Sequence, residues 1–121
     1  MAVKSYRELI VWQKAMDFAE AIYQKTADFP EDERYGLTQQ LRRAGVSVPS
    51  NIAEGQGRRT TADFLKFLWI ANGSTCESET QILLSERLGY IGSDNVQSLL
   101  NLSAEIGRLN SGLRRSLTTD H

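Results

Sequence analysis

Polar side chains between residues 40 and 59 have the types and the spacing that phosphate binding requires. They recur every three or four residues, so they share one face of a helix. The stripe consists of Gln40, Arg43, Ser47, Asn51, Glu54 and Arg58. Arg42 and Arg59 add two guanidinium groups, whose planar donors match phosphate oxygens. Two interpretations stay open: a surface for phosphate or another partner, or a network that supports a helix bend or a subunit contact.

The glycines that follow this stripe do not match a nucleotide-binding loop. The segment reads VSVPSNIAEGQGRR, and neither Gly55 nor Gly57 precedes the lysine that a Walker loop requires. Ser47 and Ser50 lack the flanking glycines of a hydrolase nucleophile elbow. We therefore interpret Gly55 and Gly57 as the end of one helix and the corner into the next.

Groups for acid–base, nucleophilic or metal chemistry are scarce in the sequence. The only histidine is the final residue, His121, and the only cysteine is Cys76, so we expect no paired base and nucleophile. No C-x-x-C, H-E-x-x-H or E-x-x-H pattern is present for zinc or di-iron. We interpret Cys76 as a core or interface thiol. The sequence predicts a protein that is not an enzyme, with no catalytic residues, metal, cofactor or small-molecule substrate.

Charge is distributed unevenly along the chain, although the net charge is only −1. Residues 34–59 contain five arginines and one acid, whereas residues 60–105 contain six acids and two bases. The basic segment either meets the phosphates of RNA or DNA or pairs with acids, on its own solvated faces or on a neighbouring subunit. A chain without net positive charge lacks a general attraction to nucleic acid, so any binding must be local.

Apolar residues recur with the helical period in four segments, and none alternates for long with period two. Helices are predicted at about 6–28, 35–56, 61–88 and 94–117 of a single domain, residues 1–121. Long amphipathic helices with short connections favour an all-α, antiparallel up-down four-helix bundle. The predicted core line of helix one is Leu9, Trp12, Met16, Ala19, Tyr23 and Thr26.

Individual proline, glycine and capping residues predict further features of helices two and three. The apolar line of helix two continues across Pro49, which predicts one helix kinked at this proline. Thr60 is predicted to cap helix three, and Gly89 to end it. Gly73 lies inside helix three, where a glycine indicates close approach of another helix. The apolar line of helix two is Leu37, Leu41, Ala44, Val48 and Ile52.

Composition also indicates where the protein is located and whether its copies associate. No apolar run approaches the ~20 residues of a membrane span, and the first residues are not typical of a signal peptide. A single cysteine fits a reducing compartment, so we expect a cytoplasmic protein. We interpret Trp12 and Trp69 as core or interface anchors. Helix three carries more apolar surface than a lone bundle of this size buries, so we expect self-association.

Several motifs carry a family resemblance. Helix one contains VWQKA, helix two contains YGLTQQLRRA and SVPSNIAEG, and helix three contains CESETQ and closes with LGY. From about residue 6 to residue 117 the chain resembles the bacterial four-helix proteins encoded in intervening sequences of 23S rRNA genes.

This resemblance implies a ring-like homo-oligomer, expected to be a pentamer. It also implies kinship with the accessory protein of diversity-generating retroelements, which works beside a reverse transcriptase and binds nucleic acid. The retroelement proteins are strongly basic, whereas this chain has a net charge of −1, which argues against tight binding. We therefore keep two functions open: an accessory or scaffold protein that binds nucleic acid, and a protein–protein interaction module without a nucleic-acid role. The motif positions of first interest are Arg42, Arg43, Asn51, Glu54, Gly55 and Arg58.

Overall fold

The computed structural model describes residues 5–119, which form four α-helices and no β-strand. Short 3-10 turns at Tyr6–Glu8 and Glu31–Glu33 precede the first two α-helices. The all-α class is confirmed, while the interpretation of His121 lies outside the described residues. The helices are α1 (Ile10–Thr26), α2 (Leu37–Gln56), α3 (Thr61–Arg87) and α4 (Ser93–Thr119).

The four helices pack around one apolar core. α1 contacts α2 and α4, and α3 contacts the same two helices. Within the described residues no Cα atom of α1 lies within 8 Å of one in α3, and the same holds for α2 and α4. The helices therefore stand at the corners of a four-sided cross-section, in which the α1–α2 side and the α3–α4 side are opposite. The largest side chains of the core are Phe18, Ile22, Leu41, Ile52, Leu68, Ile82, Leu99 and Ile106.

The first helix is shorter than the predicted span of 6–28. The Ser5 side chain accepts a hydrogen bond from Arg7 N and caps a single 3-10 turn. Leu9 is extended, with ψ of 124°, so α1 begins at Ile10. At the other end, Phe29 N donates to Thr26 O in a tight turn before Pro30. The helix does not continue to Pro30 because the residue before a proline disfavours the helical conformation.

The buried face of α1 is also rotated from the predicted core line. Met16 and Tyr23 were expected in the core, yet their side chains are 44% and 47% exposed. Phe18 and Ile22 are fully buried instead. α1 has apolar residues on two adjacent faces, and a helical period alone does not tell which face meets the neighbouring helices. The face with Met16 and Tyr23 forms part of a surface groove, described below.

α2 runs without interruption from Leu37 to Gln56, with Pro49 inside it. Every residue of its predicted core line is buried, as is Pro49 itself. The predicted continuity of this helix is therefore confirmed, whereas the bend at Pro49 stays a prediction. Gly57 is the C-cap residue, as expected for the corner. Gly55 is the last residue but one of the helix, which ends at Gln56 as predicted.

Two glycines let α2 approach its neighbours closely. A Cβ atom at Gly45 would lie 2.7 Å from Ile22 Cδ1 of α1. A Cβ atom at Gly55 would lie 2.7 Å from Phe67 Cβ and 3.1 Å from Phe64 Cδ1, both on α3. Gly55 is therefore required for tight packing between α2 and α3 rather than for a turn.

A charged cap begins α2. The Glu33 carboxylate accepts hydrogen bonds from Leu37 N at 3.0 Å and from the Tyr90 hydroxyl at 2.9 Å. The Leu37 amide first, and the Tyr90 hydroxyl second, hold the pKa of Glu33 below its ordinary value. The same contact raises the pKa of Tyr90. A carboxylate at this position satisfies a free amide and complements the positive end of the helix dipole.

α3 begins and ends with the predicted signals. The Thr60 hydroxyl accepts a hydrogen bond from Asp63 N at 3.1 Å, which confirms the cap. Gly89 has a φ of 79°, and Tyr90 N donates to Ser85 O across this left-handed residue, which confirms the predicted helix end.

The interior face of α3 is rich in small hydroxyl side chains. Thr75, Ser78 and Ser85 are buried, and each donates its hydroxyl hydrogen bond to a carbonyl four residues earlier in α3. Their small size lets α2 and α4 pack closely while their hydrogen bonds are satisfied. Within residues 5–119 no helix combines the length and apolar composition that crossing a bilayer requires.

Candidate nucleic-acid and self-association interfaces

The first half of α2 carries a basic surface hollow of about 380 Å³. Three arginines and two tyrosines surround it, contributed by the end of α1, the turn before α2 and the first turns of α2. We call this group the arginine hollow; it consists of Tyr23, Arg34, Tyr35, Arg42 and Arg43, with Thr38 and Gln39. The Arg34 guanidinium lies 5.2 Å from the centre of the Tyr35 ring, and the Tyr35 side chain is 78% exposed. Cations and exposed aromatic rings therefore alternate across this surface.

Arg42 is largely occupied within the chain. Its Nε donates to Thr26 Oγ1 at 2.8 Å, and one Nη reaches Tyr23 O at 3.4 Å. Its guanidinium also lies 4.7 Å from the centre of the Tyr23 ring. A cation at the end of α1 satisfies terminal carbonyls and complements the helix dipole. Arg42 thus joins α1 to α2 and adds charge to the hollow without being free to rotate toward a ligand.

Arg43 is exposed and uncompensated. No ion pair joins it to an acid within residues 5–119. Besides the arginine hollow it lines a neighbouring depression between α2 and α3, together with Gln40, Ser47 and Glu77. Of the two predicted binding arginines in α2, Arg43 is therefore the one left available for an external anion.

Asn51 faces the inside of the α2–α3 contact rather than a ligand. Its Nδ2 donates to both the backbone oxygen and the hydroxyl of Ser47, each at 2.8 Å. The Ser47 hydroxyl in turn lies 2.8 Å from the Ser74 hydroxyl of α3. These contacts support the interpretation of the central part of the polar stripe as a structural network two residues from Pro49.

The second half of α2 ends in a partly neutralised group. Arg58 Nη2 lies 2.7 Å from Glu54 Oε2, and its guanidinium is 4.8 Å from the centre of the Phe67 ring. Arg59 is exposed and makes no ion pair within the described residues. Thirteen positions, or about 20 Å along the helix, separate Arg43 from Gln56, the last residue of α2, and Arg58 lies two residues beyond it. The structure therefore separates the predicted binding residues into two groups.

Sequence reasoning missed part of the arginine hollow. Tyr23 was assigned to the core, Arg34 was counted only as part of the basic segment, and Tyr35 was not considered. The only signal in the sequence is the number of residues that separate them from Arg42. That separation brings them near Arg42 only because the turn at residues 27–36 reverses the chain. No group of His, Cys, Asp and Glu within residues 5–119 is arranged to hold a metal ion.

A second exposed surface is apolar. Between α1 and α2 lies a groove of about 570 Å³, which we call the α1–α2 groove. Trp12 is half-buried there, with its ring 5.2 Å from the ring of Tyr6. Glu20 is the one charged residue among those that line it in the described chain. Its main apolar residues are Trp12, Met16, Tyr23, Val46, Pro49 and Ala53.

A third surface runs along the outside of α3. Trp69 is 58% exposed and Leu83 is 44% exposed, with Gly73, Cys76 and Thr80 exposed between them. No atom of the described chain lies within 4 Å of where a Cβ of Gly73 would be, apart from its own helix and chain neighbours. Cys76 is exposed and so does not belong to the core, and no other helix among residues 5–119 approaches Gly73 closely. We call these five residues the α3 outer face.

Comparison with known proteins gives a consistent result. The family described as 23S rRNA-intervening sequence protein matches residues 7–112. A crystal structure of a protein of unknown function from the S23 ribosomal protein family of Bacteroides thetaiotaomicron superposes with a TM-score of 0.78 at 30% sequence identity. The match covers 87% of this chain and 98% of that one. No curated protein matches this chain.

Proposed function

This chain belongs to the 23S rRNA-intervening sequence protein family, and from that premise we propose that it is a non-enzymatic, self-assembling scaffold that contacts nucleic acid through the arginine hollow. The observation that carries this proposal is the exposed Arg43, which makes no ion pair within the described residues, beside Arg34, Arg42 and two tyrosines. The proposed assembly is a cytoplasmic ring of antiparallel up-down four-helix bundles, with five copies as the expected number.

The chemistry of the arginine hollow favours a nucleic-acid partner over an isolated anion. Guanidinium groups bind phosphate oxygens, and exposed tyrosines offer faces on which unpaired bases stack. Arg34 and Tyr35 are adjacent in the chain and both exposed, so phosphate and base contacts can form together. This combination fits a single-stranded or looped segment of RNA best.

Self-assembly explains how a chain with a net charge of −1 binds nucleic acid through a local basic surface. One hollow with a single free arginine binds weakly, because each phosphate contact contributes little once counterions compete. Several copies in one ring present several hollows to the same polynucleotide, and linked weak contacts raise the overall affinity. The apolar α1–α2 groove and the α3 outer face support such an assembly, because monomeric proteins seldom leave surfaces of this kind uncovered.

The bend proposed at Pro49 would shape both functions. Proline removes one backbone hydrogen bond and displaces the carbonyl four residues before it, at Gly45. The Asn51–Ser47–Ser74 network lies beside this point and holds α2 against α3. A bend here would set the direction of the first half of α2, and with it the direction of the arginine hollow.

Fluorescence anisotropy with labelled looped RNA, single-stranded RNA and duplex DNA over a salt series tests the proposal. We expect binding that weakens as salt rises and that is strongest for looped or single-stranded RNA. Arg43→Ala should weaken binding about tenfold at low salt and reduce the salt dependence by about one counterion. Arg108→Ala, an exposed arginine on α4, serves as the matched control. Flat traces for all three ligands at low salt would remove nucleic acid from the function.

A protein–protein interaction module without a nucleic-acid role is the second candidate. It is favoured by the fact that Arg42 and Arg58 already have partners within the chain. In that case the basic residues of α2 pair with the acidic α3 of a neighbouring copy, and added salt should dissociate the assembly. Light scattering over the same salt series separates the two candidates, because an apolar interface holds or tightens as salt rises.

A further inference from the structure

We propose that copies of this chain associate head to tail, with the α3 outer face of one copy lying in the α1–α2 groove of the next. The inference rests on the self-assembly proposed above and names the two surfaces that meet.

The two surfaces lie on opposite sides of the protomer. The groove is formed by α1 and α2, whereas Trp69 belongs to the α3–α4 side, because the Arg114 guanidinium of α4 lies 3.7 Å from the centre of its ring. A two-fold pair buries the same patch on both copies and would leave one of these surfaces exposed. A head-to-tail contact covers both of them with a single type of interface.

The α3 outer face has the pattern of a helix that packs on another helix. Its residues follow one another at steps of four, three, four and three, which is the seam of a heptad repeat. Large side chains at Trp69 and Leu83 flank the small residues Gly73, Cys76 and Thr80. A helix backbone can therefore approach closely at the middle of the seam, while the two large side chains insert at its ends.

The groove matches this seam in length. From Trp12 to Tyr23 it extends over eleven residues of α1, or about 17 Å, and the seam from Trp69 to Leu83 extends over fourteen residues, or about 21 Å. Aromatic and apolar side chains line the groove, which suits an aromatic anchor such as Trp69.

Their charges are complementary. Glu20 lines the groove and is exposed, and no ion pair engages it within residues 5–119. Lys66 and Arg87 continue the α3 seam beyond Trp69 and Leu83, and neither takes part in an ion pair within the same residues. A groove with one acid thus faces a seam with a base near each end, an attraction over about 15 Å that acts mainly at low salt and that two copies of the seam lack.

Contacts inside the protomer indicate that the groove and the α3 outer face lie at the same height, that is, at the same level along the axes of the helices. The Ser47 hydroxyl of α2 lies beside Ser74 of α3, and Gly55 of α2 lies beside Phe67 of α3. Later residues of α3 therefore lie beside earlier residues of α2. By this relation Gly45 is level with Cys76.

Gly45 also links this height to α1. It contacts Ala19 and Ile22 across the α1–α2 interface, so Cys76 of the seam is level with Glu20 of the groove. Neighbouring copies at equal height, as in a ring, bring these two positions together.

The single native cysteine makes this arrangement directly testable. Glu20→Cys adds a second thiol, and mild oxidation should then join Cys76 of one copy to the new thiol of the next. We expect a ladder of covalent dimers, trimers and larger species on a denaturing gel. Wild type, which has only Cys76, and the double variant Glu20→Cys with Cys76→Ser should both remain largely uncrosslinked.

Several outcomes would overturn the inference. Dimers alone, formed by wild type as readily as by the Glu20→Cys variant, would show that two α3 outer faces meet each other. No crosslinking, while light scattering shows that the variant is oligomeric, would place the interface elsewhere and leave the proposed scaffold intact. A wild-type protein that light scattering finds monomeric at high concentration would contradict the scaffold itself.

A second variant tests the same contact without a disulfide. Trp69→Ala should raise the dissociation constant of the assembly about tenfold or more, because buried tryptophans dominate the energy of interfaces. Tyr35→Ala is the matched control, since it removes an aromatic ring that is 78% exposed, against 58% for Trp69, and that lies outside both surfaces. Circular dichroism confirms that both variants are folded. Equal effects of the two substitutions would contradict the inference.

Discussion

The first half of α2 and the corner that follows this helix each carry two arginines, but the neighbours of these arginines differ. In the first half, Arg42 joins α1 to α2 and Arg43 is exposed without an acid partner. At the corner after the helix, Glu54 neutralises Arg58, whereas Arg59 is exposed and makes no ion pair within the described residues. Helical spacing predicts one stripe for Arg43, Glu54 and Arg58, yet the structure gives Arg58 an acid partner and gives Arg43 none within the described residues. The charge of an arginine matters for binding only where its neighbours leave it uncompensated and free to move.

The largest effect is expected where the second half of α2 packs on α3. Gly55→Val should lower the free energy of unfolding by about 1–3 kcal/mol, because the added atoms collide with Phe64 and Phe67. Gly57→Val is the matched control at the same corner, where the nearest atoms would be 3.6 Å away, and its effect should stay within about 0.5 kcal/mol. Chemical denaturation measures both. Equal losses would show that the corner, and not the α2–α3 contact, needs glycine.

A smaller loss of stability is expected at the first end. Arg42→Ala should lower the free energy of unfolding by about 1–2 kcal/mol, since it removes the hydrogen bond to Thr26 and the contact with the Tyr23 ring. Arg43→Ala should leave stability unchanged, because Arg43 has no ion pair within the described residues. Thermal unfolding of the two variants side by side checks this division. A stable Arg42→Ala protein would mean that Arg42 is as free as Arg43.

Removing the acid beside Arg58 should make the corner after α2 more like the first half of this helix. Glu54→Gln removes the acid beside Arg58, so the affinity for RNA at low salt should rise about two- to fivefold. Stability should change by only a few tenths of a kcal/mol, as for other exposed pairs four residues apart. Anisotropy titrations measure the affinity. Unchanged affinity would show that Arg58 and Arg59 lie outside the surface that RNA reaches.

The smallest effect concerns the charged cap where the first half of α2 begins. Because folding lowers the pKa of Glu33, this residue stabilises the fold at pH values above its ordinary pKa. That contribution is lost as pH falls through the lowered pKa. Glu33→Gln should therefore reduce stability at neutral pH and flatten its decline below about pH 4.3. Urea denaturation at several pH values compares the two proteins, and parallel pH curves would contradict the role of Glu33.

Much of the fold was accessible from the sequence, but unequally among the helices. The core line of α2 was predicted correctly, because its apolar residues form one narrow stripe. The core line of α1 was wrong at Met16 and Tyr23, because apolar residues cover two adjacent faces of that helix. The cap at Thr60 and the helix end at Gly89 were correct, since both depend on neighbours in the chain.

The candidate site was less predictable than the fold. Arg43 and Arg59 were identified and are exposed, but Asn51 turned out to bond Ser47 inside the helix contact. Tyr23 and Tyr35 became part of the arginine hollow only through the turn that brings α1 beside α2. A side chain's partners on other helices leave no trace in the spacing of its own helix.

The sequence by itself determined the helical class, the continuity of α2 across Pro49, the scarcity of catalytic groups and the family. These properties depend on residue type and on periodicity along one helix. Only the tertiary structure decided which face of α1 enters the core, which arginines are neutralised and which surfaces stay uncovered. The reason is that periodicity fixes the angle between side chains on one helix, whereas burial and charge compensation depend on what stands opposite.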